Sequence, residues 1–338
     1  MKNINPNWQK SSVVPRSTAY YEAGITSGDV VVLSAAITLV ESQLGAHQVQ
    51  ADALMAALKI PQKTVRIGIT GVPGVGKSTF IEAFGLHLVA QGRRLAVLTV
   101  DPSSQISGGS ILGDKTRMEL LARHERAFVR PSAAGANLGG LARNTKRAVL
   151  LCEAAGFDTV LVETVGVGQS EVEVSKLTDF FVLLALTGAG DELQGIKRGI
   201  LELADAIVIN KSDGENKAKI EITKAIYANS MHLFVDKPSH FPVKILDCSA
   251  LNQTGIAPIW ELIQEYAKHA TENGYWAQNR KNQLHYWVEK ELQHAVLNEF
   301  YGVAQIKTML QEAKNNSIFS DNDANLLIKN ILAIWHKK

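Results

Sequence analysis

Residues 71 to 79 read Gly71-Val72-Pro73-Gly74-Val75-Gly76-Lys77-Ser78-Thr79. The first eight fit the phosphate-binding pattern G-x-x-x-x-G-K-[ST], in which each fixed residue has a mechanical task. Gly71, Gly74 and Gly76 let backbone N–H groups turn inward around a polyphosphate. Lys77 is placed to reach β- and γ-phosphates, and the Ser78 hydroxyl to hold Mg²⁺. A helix starting here would point its positive end at the anion. The whole run through Thr79 is therefore the candidate nucleotide-binding loop.

Its flanks supply the context the motif requires. Before it, Val65-Arg66-Ile67-Gly68-Ile69-Thr70 is a short β-branched run, and after it Phe80 to Val89 carry apolar residues at helical spacing. An ordinary glycine-rich turn would need no such order of strand, loop and helix. The same alternation continues outward. Strand candidates are 65–70, 95–100, 127–130, 159–163, 180–186, 206–210 and 243–247, with helical segments between most of them. Several are almost wholly apolar, as in a parallel sheet covered on both faces. The pattern predicts an α/β fold with a doubly wound, mostly parallel sheet.

The 338 residues divide into three expected parts: an N-terminal helical extension over 1–60, a nucleotide-binding domain over 61–268, and a C-terminal helical extension over 269–338. Residues 1–15 read as a loose tail. Residues 28–58 show one helical pattern, through Val30, Val31, Leu33, Ile37, Val40, Leu44, Val49, Leu54 and Leu58, closed by Pro61. At the far end Leu284, Val288, Leu292, Val296 and Phe300 form an apolar stripe at four-residue steps. Ser320 with Asp323 reads as a helix start. This end is either a cap on the core or a dimerisation arm.

A formal net charge of +2 gives no reason to expect binding to nucleic acid or membrane through bulk electrostatics. No run is long and apolar enough to span a bilayer, and the first residues lack an apolar signal core. The two cysteines, Cys152 and Cys248, lie far apart, which argues against a disulfide framework and fits a reducing cytoplasm.

Four further motifs bear on chemistry. The strand Thr159-Val160-Leu161-Val162 runs into Glu163-Thr164-Val165-Gly166. A carboxylate ending a buried strand costs free energy unless it is paired or metal-linked, so Glu163 is a candidate Mg²⁺ neighbour and Gly166 a candidate γ-phosphate donor. Asn210-Lys211-Ser212-Asp213 is an N-K-x-D pattern, whose Asp can accept the two adjacent N–H groups that guanine presents and adenine does not. Ser249-Ala250-Leu251 follows the last strand and offers backbone N–H groups to the guanine oxygen. In that order after the phosphate loop, these motifs favour GTP over ATP. Asp101-Pro102-Ser103-Ser104 either places a carboxylate near Mg²⁺ and the attacking water or is a simple turn.

The runs Asp101 to Arg117, Glu163 to Glu171 and Gly190 to Lys197 resemble the MeaB/ArgK/MMAA family of phosphate-loop GTPases, of the SIMIBI class, and the likeness covers most of residues 28 to 300. The resemblance implies a GTP/GDP-binding chaperone that gates adenosylcobalamin loading of an acyl-CoA mutase, chiefly methylmalonyl-CoA mutase. It implies a homodimer built through the C-terminal extension. It implies a Mg²⁺ neighbourhood of Ser78, Asp101, Asp114 and Glu163, and a switch loop over 188–197. In Ras-like GTPases a glutamine follows the glycine that matches Gly166. Here that residue is Val167, which cannot hydrogen-bond, so slow intrinsic hydrolysis is expected. Lys77, Asp101, Glu163, Gln169 and Lys197 are the candidate catalytic residues. Three other readings stay open: a kinase or ATPase tied to arginine/ornithine transport, a metal-insertion GTPase, and an interaction protein with a degenerate nucleotide site.

Overall fold

A computed structural model describes residues 16–61, 63–101, 118–133, 138–164, 170–188, 198–315 and 320–336. Among them the contacts form two compact units, 1–277 and 278–338.

The first unit is built on a seven-stranded sheet in which every pairing is parallel. Its strands are β1 (Val65–Gly71), β2 (Leu95–Asp101), β3 (Ala127–Ala133), β4 (Thr159–Thr164), β5 (Phe180–Ala185), β6 (Ala206–Ile209) and β7 (Lys244–Asp247). All seven fall where the apolar runs place them. Their order is β3-β2-β4-β1-β5-β6-β7. The chain leaves β1 toward one side and returns from β4 to the other, so β1 lies at the switch point, where open α/β sheets bind ligands beyond the carboxyl ends of the strands.

Helices follow in chain order: α1 (Thr18–Thr26), α2 (Val30–Glu41), α3 (Gly45–Ala57), α4 (Lys77–Ala90), α5 (Glu119–Ala122), α6 (Leu138–Ala154), α7 (Ser170–Ser175), α8 (Arg198–Leu203), α9 (Lys217–Met231) and α10 (Ile256–Glu272). Alternate residues of each central strand feed opposite cores. Leu95 and Val97 of β2 pack with Phe80, Phe84 and Trp260 of α4 and α10. Ala96, Leu98 and Val100 pack with α2, α3 and α6. Both faces are covered, which is why the strands read as unbroken apolar runs.

The N-terminal helices share that second core. The single helical pattern over 28–58 is two helices, because Glu41 ends α2 and the chain is extended at Ser42 and Leu44. The break resets the helical phase. Leu33, Ile37, Val40, Leu54 and Leu58 of the pattern are buried, whereas Val30 and Val31 in the first turn of α2, and Leu44 and Val49 past the break, are exposed. Asp29 caps α2, accepting from the N–H groups of Val31 at 2.8 Å and Val32 at 3.1 Å. The helix α1, capped by Ser17, has no counterpart in the pattern read from the sequence.

After α10 come α11 (Tyr275–Gly302), α12 (Ala304–Asn315) and α13 (Asp321–Trp335). The helix α10 runs unbroken across residues 268 and 269, and the first unit closes at Ala277. The start of α13 is a capping box: the Ser320 side chain accepts from the Asp323 N–H, and the Asp323 carboxylate accepts from the Ser320 N–H. Within this second unit Phe300 packs edge-on against Trp335, and Trp287 and Ile306 are buried. Leu284, Val288, Leu292 and Val296 stay exposed.

Candidate nucleotide-binding site

The phosphate loop joins β1 to α4 at the switch point. Gly71 ends β1 so close to β5 that a Cβ there would lie 2.6 Å from the Leu184 carbonyl oxygen. Gly76 caps α4 with φ 90°, and a Cβ there would meet the Asn210 amide nitrogen at 2.9 Å. Both positions therefore exclude a side chain. The α4 N-terminus opens at Lys77, with Ser78 half-buried and Thr79 exposed. Val75 is buried, whereas Pro73 and Gly74 are exposed at the loop's outer bend.

Lys77 Nζ donates to the Gly71 carbonyl at 2.8 Å and to that of Val72 at 3.3 Å. These are the bonds a phosphate would replace. Burial holds the Lys77 ammonium below its usual pKa, and the carboxylates of Glu163 and Glu171 oppose the shift. Glu163 is buried near the end of β4, in register with Ile69 of β1 and Thr99 of β2. One residue on, the Thr164 hydroxyl donates to that of Thr70 at 2.8 Å, pinning the carboxyl ends of β4 and β1 together. Glu171, in the first turn of α7, is buried too. No role for it follows from the motifs. What marks it in the sequence is only a second acid eight residues past Glu163.

The base-recognition motifs do structural work on the phosphate loop. Asn210 Nδ2 donates to the Val75 carbonyl at 2.9 Å, while its Oδ1 accepts from the Ala250 N–H at 3.1 Å. The Cys248 thiol also reaches Oδ1, at 3.5 Å. Burial pushes that thiol up to about 12, so it stays protonated as a neutral wall of the site. Lys211 adopts φ 59° and donates to the Gly74 carbonyl at 2.9 Å. One asparagine thus ties three loops together, and the lysine beside it adds a second strut. Asp213 accepts from the Ser249 hydroxyl at 2.6 Å and from the Asn252 amide at 3.2 Å. The Ala250 N–H is committed to Asn210. Asn252 is a residue the motifs do not mark.

The structure thus brings together Gly71 to Thr79, Glu163, Asn210, Lys211, Asp213, Ser249, Ala250 and Leu251. Asp101 ends β2, but its side chain lies outside the described residues. Asp114, Gly166, Gln169 and Lys197 lie outside them entirely, as do Val167 and most of the 188–197 segment. Among the described residues no group of three or more His, Cys, Asp or Glu could hold a metal alone. The Ser78 hydroxyl and the Glu163 carboxylate are hard oxygen donors. They fit Mg²⁺, which takes one or two protein ligands and completes its shell with phosphate and water.

Residues 33–305 match the family model "Methylmalonyl Co-A mutase-associated GTPase MeaB". The chain belongs to the MeaB family. It is 44% identical over 300 residues to "GTPase ArgK" of Escherichia coli, covering 87% of this chain and 90% of that protein. It is 40% identical over 321 residues to "Methylmalonic aciduria type A homolog, mitochondrial" of Mus musculus, covering 90% of this chain and 77% of that protein. A solved structure, "Crystal structure of LAO/AO transport system kinase", is 35% identical with a TM-score of 0.72, covering 95% of this chain and 100% of that one. Membership of a GTPase family implies guanine-nucleotide binding. No helix among the described residues is long and apolar enough to cross a membrane.

Proposed function

We propose that this MeaB-family chain is a Mg·GTP-dependent chaperone of an adenosylcobalamin-dependent acyl-CoA mutase. It gates cofactor loading, with methylmalonyl-CoA mutase the first candidate partner, and it acts in the cytoplasm. The observation that carries the reading is the coincidence of the family match with an intact site. Lys77 opens α4, Glu163 lies near the end of β4, and Asp213 and Ser249 follow β6 and β7, an arrangement that supports this reading.

In this reading Lys77 leaves the Gly71 and Val72 carbonyls for the β- and γ-phosphates, aided by the positive end of α4. Ser78, Glu163, Asp101 and Asp114 would hold Mg²⁺, which would supply charge neutralisation for the phosphates. Asp213 takes the guanine N–H groups. Val167 supplies no hydrogen bond for water, so hydrolysis is slow until the partner orders Gln169 and Lys197. The exposed stripe Leu284, Val288, Leu292 and Val296 is covered by the same helix of a second copy, making a homodimer.

The test is capture from the source cell with GTP-loaded and GDP-loaded protein, paired with single-turnover hydrolysis. A cobalamin-dependent mutase should be retained in a nucleotide-dependent way and should accelerate hydrolysis. Fast hydrolysis by the isolated chain, or transfer of labelled γ-phosphate to a protein or amino acid, would overturn the reading. The second outcome would favour a kinase activity, as the name of the similar LAO/AO transport system kinase suggests.

A further inference from the structure

Asp213 is the residue that reads the base, and its two oxygens are not equivalent. The Ser249 hydroxyl and the Asn252 amide both donate to Oδ2, at 2.6 Å and 3.2 Å. No donor of the described residues reaches Oδ1. A carboxylate oxygen offers about two lone-pair sites, so Oδ2 is fully engaged by its own loop.

Guanine presents its N1–H and one 2-amino N–H side by side. Two parallel donors engage two different oxygens, so one finds Oδ1 open and the other needs a site on Oδ2 that is already taken. One of the two loop donors must give way.

Ser249 is locked in place. It is 1% exposed, its N–H and carbonyl pair with Thr254 at 3.0 and 3.1 Å, and its hydroxyl oxygen accepts from the Asn252 N–H at 3.2 Å. That last bond aims the hydroxyl proton at Asp213. Asn252 has the longer bond, and its residue is exposed. Its carboxamide nitrogen carries the same kind of donor as the guanine 2-amino group.

We propose that the Asn252 carboxamide is a placeholder for the guanine 2-amino group, holding its acceptor position on Asp213 Oδ2 and yielding it when the base docks. Asn252 is then a specificity-determining residue of the MeaB-family site, although it makes no bond to the bound base. It lowers guanine affinity by competition. A purine that lacks the 2-amino group, such as hypoxanthine, has only N1–H to place on Oδ1 and leaves Asn252 where it is. The inference rests on the guanine-nucleotide reading above.

The experiment is calorimetric titration of the full chain and its Asn252→Ala and Asn252→Ser variants with GDP and with inosine diphosphate, in the presence of Mg²⁺. Removing the competitor should tighten GDP by about three- to tenfold, the size of one exchanged hydrogen bond, and change inosine diphosphate affinity less than about twofold. The preference for GDP over inosine diphosphate therefore rises. Thermal unfolding of both variants should match the unsubstituted chain, since the residue is exposed. A variant that binds GDP more weakly, or with an unchanged preference, overturns the placeholder role and leaves the GTPase reading intact. Failure of the unsubstituted chain to bind GDP at all overturns both.

Discussion

The two ends of the sheet use the same side-chain chemistry to opposite effect. At the amino end, Asp158, Asp179 and Asp205 each stand directly before a strand: β4, β5 and β6. Each makes the same closed pair with one residue in, or directly before, the neighbouring strand. The Asp179 N–H donates to the Arg66 carbonyl at 2.8 Å, and the Arg66 N–H returns to Asp179 Oδ2 at 2.8 Å. Asp158 does this with Arg94 at 3.0 and 3.1 Å, and Asp205 with Phe181 at 2.7 and 2.8 Å. Each carboxylate thereby holds a backbone N–H at the amino end of the sheet; Asp205 also accepts from Lys237 at 2.5 Å and Asp158 from the Thr159 hydroxyl at 2.8 Å. At the carboxyl end, the side chains bond loop to loop: Lys77 to Gly71, Lys211 to Gly74, Asn210 to Val75, Ser249 and Asn252 to Asp213. Such bonds can be traded for a ligand without opening the sheet. One end fixes the frame, and the other keeps its polar groups exchangeable.

The sharpest separation of the two ends is Lys77→Ala. The frame does not use this ammonium, so the thermal unfolding midpoint should stay within a few degrees of the unsubstituted chain. Nucleotide affinity should fall on the order of a hundredfold or more, since charged bonds to phosphate are lost. A Lys77→Ala protein that binds GTP normally would erase the functional half of the contrast.

The next largest effect belongs to the amino end. Glu153 near the end of α6 is fully buried and grips Arg66 in a two-pronged pair, at 2.6 and 2.7 Å. Burial works against the Arg66 charge, but the hydrogen bond and charge of Glu153 outweigh it and raise the guanidinium above its usual pKa. Glu153→Ala strands a buried cation and should cost about 3–5 kcal/mol by denaturant unfolding. The double variant Arg66→Met with Glu153→Leu removes both charges and should regain most of that loss. If the double variant is no more stable than the single one, packing rather than the stranded charge sets the cost.

Legibility in the sequence follows the same division. The strands were readable because burial on both faces makes them uniformly apolar, and the phosphate loop because fixed backbone geometry demands glycine at Gly71 and Gly76. Asp213 was readable because the N-K-x-D spacing is a short pattern with a recognisable chemical purpose. Asn252 was not, because its partner is another side chain 39 residues away, and no short spacing records that contact. Glu171 was hidden likewise, since its closeness to Lys77 arises only when α7 packs over β4 and β1. The helix break at Ser42 was missed because apolar spacing on either side mimics one continuous face. The reciprocal aspartate pairs left only an Asp before each strand, and Asp there reads equally well as a turn residue.

The smallest effect tests whether those pairs are made of hydrogen bonds or of charge. Asp179 is buried, and Asp179→Ala leaves the Arg66 N–H without its side-chain acceptor at the mouth of β1 and β5. The expected cost is about 1–3 kcal/mol, the penalty for a buried donor left unpaired. Asp179→Asn keeps an oxygen in the same place and discards the charge. If the bond is what matters, the Asn protein should lose less than half of what the Ala protein loses, as read by the shift in denaturant midpoint at constant slope. Neither variant should change GDP affinity by more than about twofold, because stability effects at distant sites add independently. An Asn variant as damaged as the Ala one would assign the role to charge, through the Arg66 guanidinium. A GDP affinity that fell with either would mean the frame and the site are coupled along β1, and the division between the two ends of the sheet would fail.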